Sequence, residues 1–167
     1  LVGALEEKFS AELWPRTLRS NAELILHGTH FSDATTPPPI FRNYILPYFR
    51  RFNSEAHSAG KYLLWHADAG MGLLLRDVLE AGFDGADCLA TSPLVPQTLE
   101  EYYNAWQGRI VCWGGLPGIV FNPEFPEAAF RGCLSQLRDF SRSKSGIIIG
   151  TSDNVMPGAL WERILAV

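Results

Sequence analysis

The stretch Tyr62-Leu63-Leu64-Trp65-His66-Ala67-Asp68-Ala69-Gly70 decides how the rest of the chain is read. An apolar run of strand character ends in a histidine and a carboxylate two residues apart, and a glycine then releases the chain. Strand side chains alternate with a period of two, so His66 and Asp68 point to the same side. Parallel α/β folds mount reactive groups in this way, at the carboxyl ends of strands. Four other apolar runs leave through polar or glycine-rich turns. Residues 23–28 exit through Thr29-His30-Phe31-Ser32-Asp33, and residues 85–90 through Thr91-Ser92-Pro93. Residues 109–113 exit through Gly114-Gly115-Leu116-Pro117-Gly118, and residues 146–150 through Thr151-Ser152-Asp153-Asn154.

Helical patterns separate these strands. Leu1, Leu5, Phe9, Leu13 and Leu18 trace a helix over 1–20, which Pro15 kinks or splits. Pro37 to Pro39 hold the chain extended and preset a helix start. Phe41, Tyr44, Ile45, Tyr48, Phe49 and Phe52 then share one face of a helix over 40–58, with a break at Pro47. Further helices are predicted over 71–80, 98–106, 122–141 and from Pro157 onward. Thr98 and Glu101 have the spacing of a capping box. Strands alternating with helices mean parallel βαβ units, and continuous apolar strands suit burial on both faces. An open doubly wound sheet and part of a (β/α)₈ TIM barrel both fit. A whole barrel needs about 250 residues, so 167 residues cover roughly its last two-thirds.

Composition narrows the function classes. Hydrophobic residues make up 47% and charged ones 19%, with a formal net charge of −4 and no Lys/Arg run. A nucleic-acid or anionic-membrane surface is therefore not expected. No apolar stretch approaches the roughly 20 residues that span a bilayer. The start shows no charged segment followed by an apolar run, so no leader is expected. Cys88, Cys112 and Cys133 are widely spaced among apolar residues. They read as reduced, buried thiols in a cytoplasmic protein.

The order of motifs resembles a known group. Gly28-Thr29-His30-Phe31, Thr36-Pro37-Pro38-Pro39 and 41–48 (FRNYILPY) come first, then 56–61 (AHSAGK) and Trp65-His66-Ala67-Asp68. Residues 80–84 (EAGFD), 113–117 (WGGLP) and 149–157 (IGTSDNVMP) continue the series. Together they resemble the uroporphyrinogen decarboxylase (URO-D) superfamily, which also holds the methylcobalamin:coenzyme M methyltransferases and many uncharacterised barrels. The resemblance is to an uncharacterised decarboxylase-like subgroup and spans nearly the whole chain. It implies that residues 1–167 are a partial barrel domain supplying strands four to eight, with the amino-terminal strands absent. The arginines and aspartate with which the decarboxylases grip porphyrinogen belong to that absent part. In the methyltransferases a His-x-Cys and a later Cys bind zinc. Here His66 stands, Asp68 takes the first Cys position, and no Cys lies near 151–153.

The candidate catalytic residues are thus His66, Asp68 and His30. His66, Asp68 and Asp153 form the candidate ligand set for a divalent metal such as zinc, since imidazole and carboxylate are ordinary ligands for such ions. A His–Asp hydrogen bond that orders the strand end is the alternative for the first pair, and a turn cap the alternative for Asp153. Trp65, Trp113 and Asp33 are candidate substrate contacts, with packing against helices as the other reading of both tryptophans. His27 reads as core packing and His57 as a solvated residue of a helix end. Residues 114–118 read as a tight loop. The expected function is a URO-D-superfamily enzyme acting on a small molecule at the barrel rim, by metal-assisted or acid–base methyl transfer or decarboxylation. Uroporphyrinogen decarboxylation in porphyrin biosynthesis is a second reading, and a non-catalytic fragment or degenerate scaffold a third. Five barrel strands alone leave open edges and an open apolar face, which calls for a second copy or an amino-terminal segment to cover them.

Overall fold

Residues 2–167 are described in a computed structural model; Leu1, the first residue of the helix expected over 1–20, lies outside them. Five strands follow one another across a single sheet. They are β1 (Leu24–His27), β2 (Tyr62–His66), β3 (Gly85–Leu89), β4 (Val111–Pro117) and β5 (Ile147–Ser152). Every neighbouring pair is parallel, and the spatial order equals the chain order. This order separates the two expected architectures. A doubly wound sheet reverses its direction of growth at a switch point and sends helices to both faces. Crossovers of one hand that always step the same way put their helices on one face, as in a barrel. The fold is α/β, with the parallel sheet of a partial TIM-type barrel.

The helices are α1 (Val2–Lys8), α2 (Trp14–Arg19), α3 (Pro38–Ile40), α4 (Leu46–Ser58), α5 (Leu75–Ala81), α6 (Leu99–Trp106), α7 (Glu127–Ser143) and α8 (Trp161–Ile164). Pro15 and Pro47 act as the sequence suggests, and by the same device. A π-helical turn, Phe9–Leu13 or Phe41–Ile45, precedes each proline. The Trp14 N–H then donates to Phe9 O, and the Leu46 N–H to Phe41 O. The wide turn makes room for a ring that would otherwise meet the carbonyl four residues back. At α6 the capping box is present: the Glu101 N–H donates to Thr98 Oγ1 and the Thr98 N–H to the Glu101 carboxylate.

Several boundaries differ from the sequence reading. The stretch 114–118 is mostly not a loop: β4 continues to Pro117, and Gly115, Leu116 and Pro117 pair with Gly150, Thr151 and Ser152. The helix expected from 71 begins at Leu75. The Asp33 carboxylate accepts from Leu73 N–H (3.0 Å) and the Asp33 N–H donates to Gly70 O (3.0 Å), which holds the preceding turn open. The helix expected from 122 begins at Glu127, after a 3₁₀ turn at Gly118–Phe121. The last helix is only the single turn α8.

The sequence predicts burial on both sheet faces; the helix-covered face has it, and on the other face Leu64 is buried but most large apolar side chains are exposed. Leu63, Trp65, Ala86 and Cys112 are fully buried on the helix-covered face. Trp65 packs on Phe31, Phe83 and Trp106 at ring-centroid distances of 6.0, 4.8 and 5.6 Å. On the other face Leu24, Leu26, Tyr62, Trp113 and Ile148 are exposed. This is the face a closed barrel turns inward. A smaller core of Leu116, Val120, Phe121, Phe130 and Leu137 serves β4 and β5. All three cysteines are free, but only Cys112 is buried; Cys88 and Cys133 are half-buried. No helix among the described residues is long and apolar enough to cross a membrane.

Candidate functional site

The carboxyl ends of the first three strands bring the reactive residues together. His30 leaves β1 and Asp68 leaves β2; His30 Nδ1 lies 3.1 Å from Asp68 Oδ1. His66, the last residue of β2, turns Nε2 toward Asp68 Oδ2 at 3.6 Å. The two imidazole rings stand edge to face, 4.9 Å between centroids. On its other side His66 Nδ1 lies 3.2 Å from Asp87 Oδ2 of β3. Strand pairing explains this contact, because His66 and Asp87 are register partners. His66 therefore stands between two carboxylates. A neutral imidazole has one N–H and can donate to only one of them.

Two groups of potential ligands follow among the described residues: His30, His66 and Asp68, and His66, Asp87 and Cys88. Within each group one ligand atom per residue lies within 4.8 Å of the others. A tetrahedral ion with bonds of about 2.0–2.1 Å keeps its ligand atoms roughly 3.3 Å apart. The first group fits a borderline divalent ion such as zinc with small adjustments, and leaves a position open for water or substrate. The same atoms also fit acid–base work, with Asp68 orienting either imidazole.

The other expected site residues fall differently. Asp153 lies outside the His30–His66–Asp68 group. It follows β5 with a left-handed backbone (φ 60°) and accepts from the Asn154 amide at 3.0 Å. Two strands, β3 and β4, stand between β2, which Asp68 leaves, and β5, which Asp153 leaves. Trp65 does not wall a pocket at the rim, because it is fully buried among the aromatic rings of the helix face. Trp113 does stand on the open face, paired with Ile148, and its indole lies against Gly150. Asp33 is occupied in holding the 70–73 turn. His27 packs edge-on against Phe49 at 4.9 Å, and burial lowers its pKa. His57 is more than a solvated residue, since its Nε2 lies 2.8 Å from Asp84 Oδ2.

Asp87 and Cys88 were not singled out as site residues by the sequence. A regular strand points consecutive residues to opposite faces. Here the Ala67 N–H donates to Asp87 O while Ala67 O accepts from Ala90 N–H, a spacing of three residues on β3. The pairing with β4 shifts at the same place, from Ala86↔Cys112 to Leu89↔Gly114. Cys88 sits in this bulge at φ 55°. Across the bulge, a Cβ at Gly114 would stand 2.7 Å from Leu89 N, so only glycine fits. The pairing of a free thiol with an acidic residue before it was the available sequence signal. Burial pushes the Cys88 thiol pKa up, and the Asp87 charge adds to this. A groove of about 760 Å³, lined in part by Leu99, Cys133, Leu137 and Phe140, reaches the exit of β3 at Thr91–Pro93 but includes none of His30, His66, Asp68, Asp87 and Cys88.

No known protein family matches the sequence, and no curated protein matches it. Among solved structures, a methyltransferase from Methanosarcina mazei is similar in fold, with a TM-score of 0.62 and 16% identity. The similarity covers 87% of this chain and 40% of the methyltransferase. The chain thus spans less than half the length of that neighbour, and the likeness concerns the fold.

Proposed function

We propose that this chain carries part of the active site of a methyl-transferring or decarboxylating enzyme of the URO-D and cobalamin-methyltransferase superfamily. The observation that supports this most is the meeting of His30, His66 and Asp68 at the carboxyl ends of β1 and β2, where barrel enzymes keep their chemistry. The fold likeness to a methyltransferase and the collinear sequence motifs agree with it. His30 and His66 would supply imidazole nitrogens to a divalent ion, and Asp68 a carboxylate oxygen. Such an ion, when bound, supplies Lewis-acid polarisation of a substrate oxygen or activation of a nucleophile. Asp68 orients the His30 ring through Oδ1 at 3.1 Å, and its Oδ2 lies 3.6 Å from His66 Nε2. Trp113 offers a flat apolar surface on the same open face.

Metal analysis of the purified protein tests the proposal, with His66→Ala as the control. Zinc or another divalent ion retained by the native chain and lost in the variant is the expected result. Native protein that holds no metal at any pH, with activity unchanged by His66→Ala, would overturn it.

A further inference from the structure

The bulge in β3 gives the rim a second ligand group, and nothing in the sequence motifs assigns it a task. We infer that His66 Nδ1, the Asp87 carboxylate and the Cys88 thiolate form a second cation subsite, one that selects a thiophilic divalent ion such as Zn²⁺ or Co²⁺. The subsite goes beyond the proposed function and shares only His66 with it.

Three observations carry the inference. The atoms are together: Asp87 Oδ2 is 3.2 Å from His66 Nδ1, and the Cys88 sulfur joins them within 4.8 Å. The arrangement is built against strand geometry. Without the bulge Cys88 would face the helices, opposite Asp87. Instead an extra residue in the ladder and a left-handed backbone at Cys88 bring both side chains to His66. Bulges re-aim side chains in this way, and a left-handed backbone is strained for a residue with a Cβ. Finally, Gly114 is the partner that leaves room for the bulge. The donor set is one nitrogen, one oxygen and one sulfur, which suits a borderline ion and not Mg²⁺ or Ca²⁺. On binding, the thiol proton leaves to solvent and a metal–sulfur bond of about 2.3 Å forms. The sulfur comes from a strand position that the His-x-Cys pattern of the methyltransferases does not use.

Titration of the purified full chain with Co²⁺, followed by absorption, reads the subsite directly, because only a thiolate ligand gives an intense near-ultraviolet charge-transfer band. The band is expected in the native chain and in Cys133→Ser. It is expected to persist in His30→Ala, which removes only the first ligand group. Cys88→Ser should abolish it. Cys88→Gly should abolish it as well, and glycine accepts φ 55° without strain, so loss of the band there cannot be laid to misfolding. Zn²⁺ should protect Cys88 from alkylation, as read by mass spectrometry. A band that survives in either Cys88 variant overturns the inference. Cobalt ligand-field bands without a charge-transfer band also overturn it, while leaving the His30–His66–Asp68 reading intact. No cobalt spectrum of any kind at saturation overturns both.

Discussion

The two halves of the sheet are held in different ways. Beneath β1, β2 and β3 lies one continuous aromatic core that includes Trp14, Phe31, Phe49, Phe52, Trp65, Phe83 and Trp106. Beneath β4 and β5 the core is small, and a polar clamp supplements it. Arg163 of α8 is almost fully buried. Its guanidinium donates to Val120 O (2.9 Å), Asn122 O (2.7 Å), Phe125 O (2.8 Å) and the Glu127 carboxylate (3.1 Å). The reactive residues His30, His66, Asp68 and Asp87 all stand on the aromatic half. Packing of large rings fixes strand positions closely, because each ring touches many neighbours and has few rotamers. The meeting of His30, His66, Asp68 and Asp87 within a few ångströms rests on that foundation.

The largest effect should come from the aromatic half. Trp65→Ala leaves a cavity between Phe31, Phe83 and Trp106, directly beneath His66, and is expected to cost about 3–5 kcal/mol. Urea denaturation measures this, and a loss below about 1 kcal/mol would show that the core does not depend on the ring. Arg163→Met should come next. It keeps the apolar stem but leaves carbonyls of the 120–125 turn without their donor, a cost of about 2–3 kcal/mol. Hydrogen exchange should speed up in residues 118–126 and stay slow in β1 to β3; equal acceleration in both halves contradicts the division. The smallest effect concerns His27. Its pKa in the folded chain lies below the ordinary 6.5, because burial disfavours the charged ring. Between those two pKa values the unfolded chain binds more protons, so stability falls as pH drops through about 6.5 and is independent of this group above it. His27→Phe should flatten that part of the stability–pH curve; an unchanged slope would assign it to other groups.

Much of the fold was legible. β1, β2 and β3 end where polar turns begin, β4 and β5 run on through theirs to Pro117 and Ser152, and both prolines mark the helix breaks. The sequence also placed His66, Asp68 and His30 at strand exits, because the period of two needs only local information. The rest depended on contacts across strands. Leu63, Leu64 and Trp65 are all apolar, so the sequence could not say that Trp65 faces the helices while His66 faces the rim. Cys88 was hidden for a related reason. Its orientation follows from one extra residue in the β3 ladder and from the space left by Gly114, which lies on the next strand.

The π turns ahead of Pro15 and Pro47 also set how the chain tolerates changes in length. Each wide turn contains one residue more than an α-helical turn would. Deleting a single residue from Phe41–Ile45 would restore an ordinary helical ladder, bring the Pro47 ring against the carbonyl four positions earlier, and rotate α4 by about 100°. Phe49 and Phe52 would then swing away from the sheet, and the floor under the rim would go with them. The short connection at 144–145 can gain or lose a residue at little cost. The helix that leads into Pro47 cannot, and length variation within 41–45 is as damaging as a change of core side chain.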